Sequence, residues 1–500
     1  MAVLLFPFRL LWSLFVVLVP LLGVWVSSSM MAYQNGPIWA VILIGALLFP
    51  LAPLLWELRA YTKYRRKIKD VEDPKPRLLT FWDRMTLRTL VLNGVFLVGL
   101  LALFPQQGFT AISARGDWML QEQQTPEAQT ARSVLFASAE KLEWLYKLSM
   151  DNPYELSEDV KKEITKKDTS DVKPPPAPKQ TPPRKNNKPN TKDTVPVATS
   201  STYKVGPHAW PLSKTVHPVV RAMPESVKTS PEAVAKYITS KVSDPYMRVK
   251  ALHDFVADRV AYDVAALRGI EQNRPVPSQD AQTVFTTGKG VCEGYARLLV
   301  EMGKHSGDEI VYVVGVSRRG AESGSGLGHA WNGVKIEGSW YLIDATWNAG
   351  TVGGDTFNKE YKSDYLLTPP KLFGMDHLPD DPVWQLRKPT ITRGEFIRQP
   401  SMSPKFYING HDFMDNVRAQ IDVRRKFSLR IKNPLGKRMA GVFRSSSGQM
   451  SKVKCAPTTS GGITQLDCTA PSAGQHKLTI FSGPAGRTIW SVGELKVNAS

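Results

Sequence analysis

Three apolar runs open the chain, ahead of any pattern that suits a globular domain. They cover residues 3–26, 38–56 and 89–104. A helix that spans a bilayer needs roughly 17–25 mostly apolar residues, so the first two runs are long enough and the third becomes so with Leu87. The pattern predicts three transmembrane helices in a membrane region at residues 1–105. The first run could instead be a signal peptide that is cleaved between Ser27 and Ala32.

Basic residues predict how these helices are oriented. The loop 27–37 carries no Lys or Arg, whereas the stretch from Arg59 to Arg88 is rich in both. Lys and Arg near helix ends stay on the cytoplasmic side. We therefore expect a multi-pass protein of the inner or plasma membrane. Everything after the third helix is expected on the extracytoplasmic side.

Two different patterns follow the membrane region. Apolar residues recur near helical spacing over 124–150, which predicts a helical juxtamembrane segment within residues 106–165. Residues 166–205 are rich in Pro and Lys and have few large apolar side chains. That composition is typical of an extended, disordered linker.

The next segment, residues 206–395, has the mixed pattern of an α+β domain. A capping residue followed by proline starts a helix twice, at Ser230-Pro231 and at Asp244-Pro245. A further apolar helix follows Cys292. These signals predict at least three helices in the first half of the domain.

Strands are predicted in the second half of this domain. Residues 309–316 form a continuous apolar run, which indicates a buried strand. Residues 329–336 and 339–346 are predicted to form a hairpin around Glu337-Gly338. A two-residue loop of this kind is a strong signal for a tight turn.

The last segment, residues 396–500, changes character again. Short strand-like runs alternate with turn residues, which is typical of a small β-sandwich. No cluster of catalytic residue types lies in it, so packing or binding is its expected role. The predicted strands are Phe427–Ile431, Gly441–Arg444, Lys477–Phe481 and Ile489–Val492.

Charge and cysteine content narrow the classes of partner. The chain has 64 Lys and Arg against 45 Asp and Glu, a formal net charge of +19, which favours acidic partners such as anionic lipid. Zinc-finger spacing and aromatic RNA-binding signatures are missing from the sequence, so we expect no nucleic acid. Of the 3 Cys, Cys455 and Cys468 lie in one segment and could form a disulfide in an oxidising compartment. Cys292 would then be the free thiol.

Cys292 stands where a nucleophile is expected. It follows Gly288-Lys-Gly-Val and begins an apolar helical run, and the start of a helix favours the thiolate that acyl transfer requires. Its backbone N–H would lack a partner within the helix and could face a developing oxyanion. The second oxyanion donor is not identifiable from the sequence.

His329 and Asp344 are the matching base and orienter. With a two-residue turn at Glu337-Gly338, Asp344 lies opposite Trp331, and His329 is its diagonal neighbour. All three side chains then point to one face, whereas a three-residue loop would put His329 and Asp344 on opposite faces. Each residue alone has a structural explanation, but the three together favour a Cys-His-Asp triad. A metal site is not expected, because no close pair of Cys or His ligands occurs.

At this point the chain resembles the transglutaminase-like superfamily. The resemblance covers about residues 230–390 and rests on Gly-Lys-Gly-Val-Cys-Glu-Gly-Tyr-Ala (288–296), Gly-His-Ala-Trp-Asn (328–332) and Trp-Tyr-Leu-Ile-Asp-Ala-Thr-Trp (340–347). The segment 363–373, continuing to His377-Leu-Pro379, resembles more narrowly the kyphoscoliosis peptidase branch.

This resemblance implies a papain-like α+β core with Cys292 as nucleophile, His329 as base and Asp344 as orienter. It also implies a thioacyl intermediate that is resolved by an amine or by water, with no cofactor and no metal. We expect a membrane-anchored enzyme that acts on proteins or peptides of the cell envelope. The alternative is a non-catalytic scaffold or binding protein of the envelope.

Overall fold

The structure is a computed structural model of the 500-residue chain. Most of the predicted linker and most of the Gly- and Ser-rich loop after residue 318 lie outside the residues that it describes. The described residues are 2–34, 36–69, 78–120, 123, 125–148, 152–155, 203–318, 326–444 and 450–499.

The first of two compact units comprises Met1–Asp151 together with Thr392–Arg398. It is helical throughout its described part. A kink at Phe49, whose backbone is extended (φ −159°, ψ 123°), separates the helix that ends at Ala46 from the one that begins at Ala52. Its helices are α1 (Ala2–Tyr33), α2 (Ile38–Ala46), α3 (Ala52–Lys67), α4 (Phe81–Leu103), α5 (Pro105–Arg115), α6 (Pro126–Glu140) and α7 (Glu143–Leu148), with a short 3-10 turn at Trp118–Leu120.

Two stretches of this unit are long and apolar enough to cross a membrane. They are Leu14–Tyr33 and Ile38–Lys67, with mean hydropathies of 2.1 and 2.5. The predicted third run lies within α4, which meets this test only as a pair with the helix after it, and that pair is bent by 106°. Two of the three predicted spans are therefore supported by length and composition, and the third is not confirmed.

Charged side chains mark the polar ends of α3 and α4. Glu57 is buried and accepts from Arg84 at 2.9 Å, and it also contacts Arg88. A reciprocal capping box between Thr80 and Asp83 starts α4, because each side chain binds the other's backbone N–H. This cap explains why the helix begins well before the apolar run that the sequence shows.

The second unit comprises Asn152–Ile391 and Gln399–Ala499. The predicted caps are confirmed, since Ser230 and Asp244 each accept from the backbone three residues on. Helix α16 (Arg393–Arg398) belongs to the first unit, and 3-10 turns lie at Glu225–Val227 and Pro382–Gln385. The helices of the second unit are α8 (Pro218–Arg221), α9 (Pro231–Lys241), α10 (Pro245–Arg259), α11 (Val264–Glu271), α12 (Ala281–Thr287), α13 (Cys292–Ser306), α14 (Ala345–Ala349), α15 (Pro370–Phe373) and α17 (Pro404–Ile408).

Strands alternate with these helices. The predicted strand 309–316 and both arms of the predicted hairpin are present with slightly different ends. In order they are β1 (Lys204–Val205), β2 (His208–Ala209), β3 (Ala261–Tyr262), β4 (Lys289–Gly290), β5 (Glu309–Ser317), β6 (Leu327–Ile336), β7 (Ser339–Ile343), β8 (Gly350–Gly353), β9 (Thr356–Lys359), β10 (Leu366–Thr368) and β11 (His377–Pro379).

An antiparallel five-stranded sheet in the order β10-β7-β6-β5-β11 forms the centre of this α+β core. Helix α13 packs on β5 and β6 and buries its apolar face there. The predicted register is confirmed, because Ile336 pairs with Ser339 across a two-residue turn. Both turn residues, Glu337 and Gly338, have positive φ, as such a hairpin requires.

The C-terminal residues form a sheet of nine strands. The four predicted strands are present with somewhat different ends, and the other five were not predicted. The first half of the strand Met450–Ser460 pairs with Arg438–Arg444 and its second half with Ile463–Thr469, so one strand joins two parts of a continuous sheet. The predicted sandwich is not confirmed. The strands are β12 (Ser401–Met402), β13 (Asp412–Phe413), β14 (Gln420–Val423), β15 (Lys426–Lys432), β16 (Arg438–Arg444), β17 (Met450–Ser460), β18 (Ile463–Thr469), β19 (Gly474–Gly483) and β20 (Trp490–Ala499).

Cys455 on β17 and Cys468 on β18 are joined by a disulfide that spans 13 positions of sequence. Cys292 is therefore the free cysteine of the chain.

Candidate active site

Cys292 is the first residue of α13, and a single residue, Val291, separates it from the short strand β4. Gly288, with φ of 63°, ends α12 in the left-handed conformation and turns the chain toward β4. The side chain of Gln279 accepts from the backbone N–H of Val291 at 2.8 Å. A Cβ on Gly294 would lie 2.8 Å from the same Gln279 oxygen, which explains a glycine in the first turn of α13.

The hairpin brings His329 and Asp344 together, as the register predicts. His329 lies on β6, and Asp344 follows the last residue of β7. The Nε2–H of His329 donates to Oδ2 of Asp344 at 2.8 Å. Cys292 lies beside the same imidazole, close enough to raise its pKa, and Nδ1 is the nitrogen that the Asp344 contact leaves available. The three candidate site residues therefore meet in one buried cluster.

Asp344 is held from several sides. It is the N-cap residue of α14, and its Oδ1 accepts from the backbone N–H of Trp347 at 3.0 Å. Its own backbone N–H donates to the carbonyl of Tyr365. Asp344 thus caps α14 and also hydrogen-bonds to His329, so its structural role and its candidate catalytic role are compatible.

A second histidine shares the same carboxylate oxygen. The Nε2–H of His377 donates to Oδ2 of Asp344 at 3.1 Å, and its Nδ1–H donates to Asp376 at 2.7 Å. Asp376 in turn accepts from the hydroxyl of Tyr365. Sequence reasoning did not assign His377 to the site. Its only signal was its place in the motif quoted for the family resemblance, because its position depends on β11 pairing with β5.

Aromatic rings enclose this pair of histidines. The ring of His377 lies 4.2 Å from that of Phe373 and 4.5 Å from that of Trp347. The ring of Trp331, which shares the face of His329 as predicted, lies 5.9 Å from it. The enclosure excludes water, and in such surroundings the hydrogen bonds between charged groups are strong.

The ionisable groups in this cluster favour one another's charged forms. Burial would lower the pKa of His329, but Asp344 and Cys292 outweigh it and raise the pKa to about 9. Burial would raise the pKa of Asp344, yet His329 and His377 hold it well below 3.8. Burial also opposes charge on His377, but Asp376 and Asp344 raise its pKa. At neutral pH the cluster therefore contains the carboxylate of Asp344 and the imidazolium of His329.

Two tyrosines complete the surroundings of Cys292. The side chain of Tyr154 lies beside those of Cys292 and Tyr262. Burial, followed by the proximity of Cys292, raises the pKa of Tyr154 far above 10, so the phenol stays protonated. Cys292 is only 1% exposed and Tyr154 only 4%. Sequence reasoning missed Tyr154 because it precedes the linker and lies far from the recognised motifs.

Within the described residues, His329, Asp344 and His377 are near enough to share a metal ion, with ligand atoms within 4.8 Å of one another. These atoms are already bonded to each other, since both imidazoles donate to Oδ2 of Asp344. A structural zinc site needs about four protein ligands. The hydrogen-bond network accounts for the cluster, and we assign no metal to it.

Known proteins share the part of the chain that builds this site. Residues 232–345 match the family model of the transglutaminase-like superfamily. The chain is 28% identical to mouse kyphoscoliosis peptidase over 264 residues, which cover 51% of this chain and 39% of that protein. It is 34% identical to the human kyphoscoliosis peptidase over 170 residues, 33% of this chain and 25% of that protein.

A fly protein and two solved structures are also similar. Hillarin from Drosophila melanogaster is 25% identical over 235 residues, 40% of this chain and 29% of that protein. The crystal structure of a TGase has 23% identity, covers 26% of this chain and 34% of that one, and gives a TM-score of 0.21. A putative cysteine protease from Cytophaga hutchinsonii has 21% identity, covers 26% and 45%, and gives a TM-score of 0.19.

The chain matches well under half the length of each curated relative. The matched family model ends at Ala345, directly after Asp344, and includes Cys292 and His329. This chain therefore contains a transglutaminase-like domain, and that domain has homologues among the kyphoscoliosis peptidases.

Proposed function

We propose that the chain is a membrane-anchored cysteine enzyme that acts on protein or peptide amides through a thioacyl intermediate. One observation carries the proposal. Cys292 starts a helix and lies beside His329, whose Nε2 is held by Asp344 at 2.8 Å. Nucleophile, base and orienter are the parts that acyl transfer by a thiol requires.

In the first half-reaction, the Cys292 sulfur attacks the carbonyl carbon of an amide while His329 holds the thiol proton. A C–S bond forms and the carbonyl oxygen becomes an oxyanion. Collapse of this intermediate breaks the C–N bond, and His329 gives its proton to the departing amine. In the second half-reaction, His329 takes a proton from water or from an amine, which attacks the thioester and releases Cys292.

The oxyanion needs donors that are in place before the reaction. The backbone N–H of Cys292, at the first position of α13, is the donor we assign, because the first N–H groups of a helix have no partner within it. Asp344 keeps the imidazole of His329 in the tautomer and orientation that face the sulfur. His377 and Trp347 keep Asp344 in place.

The name of the mammalian relatives, kyphoscoliosis peptidase, supports hydrolysis of peptide bonds as the first chemistry to test. The full-length chain in detergent would be incubated with a peptide library and labelled amines, and the products measured by mass spectrometry. We expect cleavage, deamidation or amine incorporation that is lost in Cys292→Ala and strongly reduced in His329→Ala. Products that persist in Cys292→Ala would contradict the proposal.

We further propose that the domain lies outside the cytoplasm, where its substrates are proteins or peptides of the cell envelope. The basic end of α3 stays inside by the charge rule, so the proposal requires α4 to cross the bilayer. In a Cys292→Ser background, a cysteine at exposed Ser226 should react with an impermeant maleimide in intact cells. A cysteine at exposed Thr62 should react only after permeabilisation. The reverse pattern would place the domain inside.

Burial of the site favours a second candidate, a non-catalytic scaffold that binds envelope proteins. Cys292 is 1% exposed, so the closed domain could serve as a binding surface without turnover. The two candidates differ in cells. A Cys292→Ala chain should fail to replace the natural chain if it is an enzyme, and should replace it fully if it is a scaffold.

A further inference from the structure

A four-residue segment that precedes the linker folds into the transglutaminase-like unit. It comprises Asn152–Glu155, and the backbone N–H of Glu155 donates to the carbonyl of Asn152 at 2.9 Å to close a turn. The side chains of Asn152 and Tyr154 are 5% and 4% exposed. Two largely buried side chains in so short a segment indicate that it binds the domain at a specific position.

Asn152 anchors one end of the segment. Its amide nitrogen donates to the carbonyl of Gly315 at 2.9 Å and to Asp380 at 3.2 Å, and its amide oxygen accepts from the backbone N–H of Tyr154 at 3.2 Å. Both hydrogen-bonding groups of the side chain are therefore used. The anchor joins the turn to β5 of the central sheet.

Tyr154 is anchored by its backbone, and the glycine before His329 leaves room for the turn. The hydroxyl of Tyr312 donates to the carbonyl of Tyr154 at 2.8 Å. A Cβ on Gly328 would lie 2.7 Å from the Asn152 oxygen and 3.1 Å from Pro153. Gly328 thus permits the segment to lie against β6 directly beside the candidate base.

The Tyr154 side chain then reaches the thiol. It lies beside Cys292 in the same buried cluster, and Cys292 has almost no exposure to solvent. An amide that reacts with this sulfur must bring its carbonyl carbon within roughly 3–3.5 Å of it. Tyr154 in its observed position and a bound acyl donor would occupy the same space.

We propose that Asn152–Glu155 is an intramolecular cover that occupies the acyl-donor position above Cys292 and leaves before a substrate binds. The part of this proposal that concerns a substrate rests on the proposed function. The part that concerns access of a reagent to the Cys292 thiol does not. The groups that hold the cover recognise a peptide. The carbonyl of Gly315 and the carboxylate of Asp380 accept from an amide, and Tyr312 donates to a backbone carbonyl. A peptide with an aromatic residue is therefore the class of acyl donor that suits the site.

Sequence connectivity makes this cover separable from the core. It follows α7 after three residues, and the predicted linker follows it. Displacing it breaks a few hydrogen bonds and leaves the sheet, α13 and the hairpin intact. Segments with few anchoring contacts open at low free-energy cost relative to global unfolding.

Alkylation of the native full-length chain tests the cover directly. Cys292 is the free cysteine, so its rate of modification by iodoacetamide can be measured by mass spectrometry. The rate scales with the fraction of molecules in which the cover is open, and one hydrogen bond shifts such an equilibrium by about tenfold. We expect Tyr154→Ala and Asn152→Ala each to react at least about tenfold faster than the natural chain.

Two further variants serve as controls for this experiment. Tyr154→Phe keeps the ring, so its rate should rise far less than that of Tyr154→Ala. Phe427→Ala removes a ring from the C-terminal sheet and should leave the alkylation rate unchanged. It controls for a general destabilisation of the fold. If Tyr154→Ala and Asn152→Ala react at the natural rate while folded, the cover does not exist.

Catalysis and access are distinguished by combining variants and by kinetics. Adding His329→Ala to Tyr154→Ala should slow alkylation again, and no slowing would contradict the proposed function while leaving the cover intact. With an active substrate, Tyr154→Ala should lower KM by the factor that it adds to alkylation, with kcat nearly unchanged. A fall in kcat at unchanged KM would overturn the cover and make Tyr154 part of the chemistry.

Discussion

His329 and His377 donate to the same atom, Oδ2 of Asp344, at 2.8 Å and 3.1 Å. They come from different strands, β6 and β11, which lie on either side of β5 in the central sheet. The carboxylate therefore has two imidazole donors, of which His329 is the one beside the thiol. Because His377 is also held by Asp376, it can fix the carboxylate without competing for the sulfur.

Replacing Asp344 by Asn tests the orienting role of the carboxylate. The amide keeps the shape of the side chain but cannot stabilise an imidazolium, and it favours the wrong tautomer of His329. We expect turnover, or alkylation of Cys292 in an open-cover background, to fall by about 10²- to 10⁴-fold. Circular dichroism should show the fold retained. Unchanged rates in a folded variant would remove Asp344 from the mechanism.

The role of His377 is predicted to be positional. His377→Phe leaves two buried carboxylates, those of Asp344 and Asp376, each without one donor, and hydrogen bonds to charged groups contribute about 1.5–3 kcal/mol. We expect a loss of about 3 kcal/mol in the free energy of unfolding. His377→Gln, which retains one donor, should recover part of it.

Urea unfolding of both His377 variants measures this loss, with His305→Gln as the control. His305 is partly exposed and pairs with Glu301 on the surface of α13, so its replacement should cost less than about 1 kcal/mol. Equal losses in the Phe and Gln variants would show that packing, not hydrogen bonding, explains the effect.

Stability should depend on pH through His329. Burial disfavours its charge, but Asp344 and Cys292 raise its pKa in the folded chain to about 9, against 6.5 for an ordinary histidine. Between these values the folded state binds more protons than the unfolded state, so stability falls as the pH rises. The contribution is complete below pH 6.5 and is lost through about pH 9, on the order of 3 kcal/mol.

Thermal unfolding between pH 6 and pH 10 checks this dependence. His329→Gln cannot titrate in this range, so the difference between the natural chain and the variant isolates the contribution of His329. We expect that difference to shrink over the window from 6.5 to 9. A difference that stays constant across the window would mean that His329 is not charged in the folded chain.

A separate buried ion pair should govern the stability of α10. Lys250 and Asp254 are 1% and 0% exposed, and their charged groups lie 2.6 Å apart. Lys250→Met removes the ammonium partner of the Asp254 carboxylate, whose hydrogen bonds from His253 and Tyr361 remain. We therefore expect a loss below the roughly 3–5 kcal/mol of a buried charge that is left unpaired. Calorimetry of Lys250→Met against Lys236→Met measures this, since Lys236 pairs with Glu232 at the exposed surface, where solvent screens the interaction.

If both lysine variants unfold at the same temperature, losing the buried Lys250 costs no more stability than losing the exposed Lys236, and the prediction fails. The double variant Lys250→Met with Asp254→Asn provides an internal check. Removing both charges should cost less than removing Lys250 alone, because no unpaired charge is left in the core.

Local sequence determined the parts of this protein that depend on neighbours along the chain. The Glu337-Gly338 turn and the period of two residues along a strand placed His329 and Asp344 on one face. The Ser230-Pro231 and Asp244-Pro245 pairs started helices where they were expected. The apolar runs determined two membrane-length helices, because length and composition suffice for that property.

Only the tertiary structure decided which distant residues join the site. His377 reaches Asp344 because β11 pairs with β5, and Tyr154 reaches Cys292 because its segment is anchored on Gly315 and Tyr312. Similarly, β17 pairs with two different strands along its length. Periodicity and spacing report the environment of a residue along its own helix or strand. They carry no signal for contacts that form only when remote segments pack together.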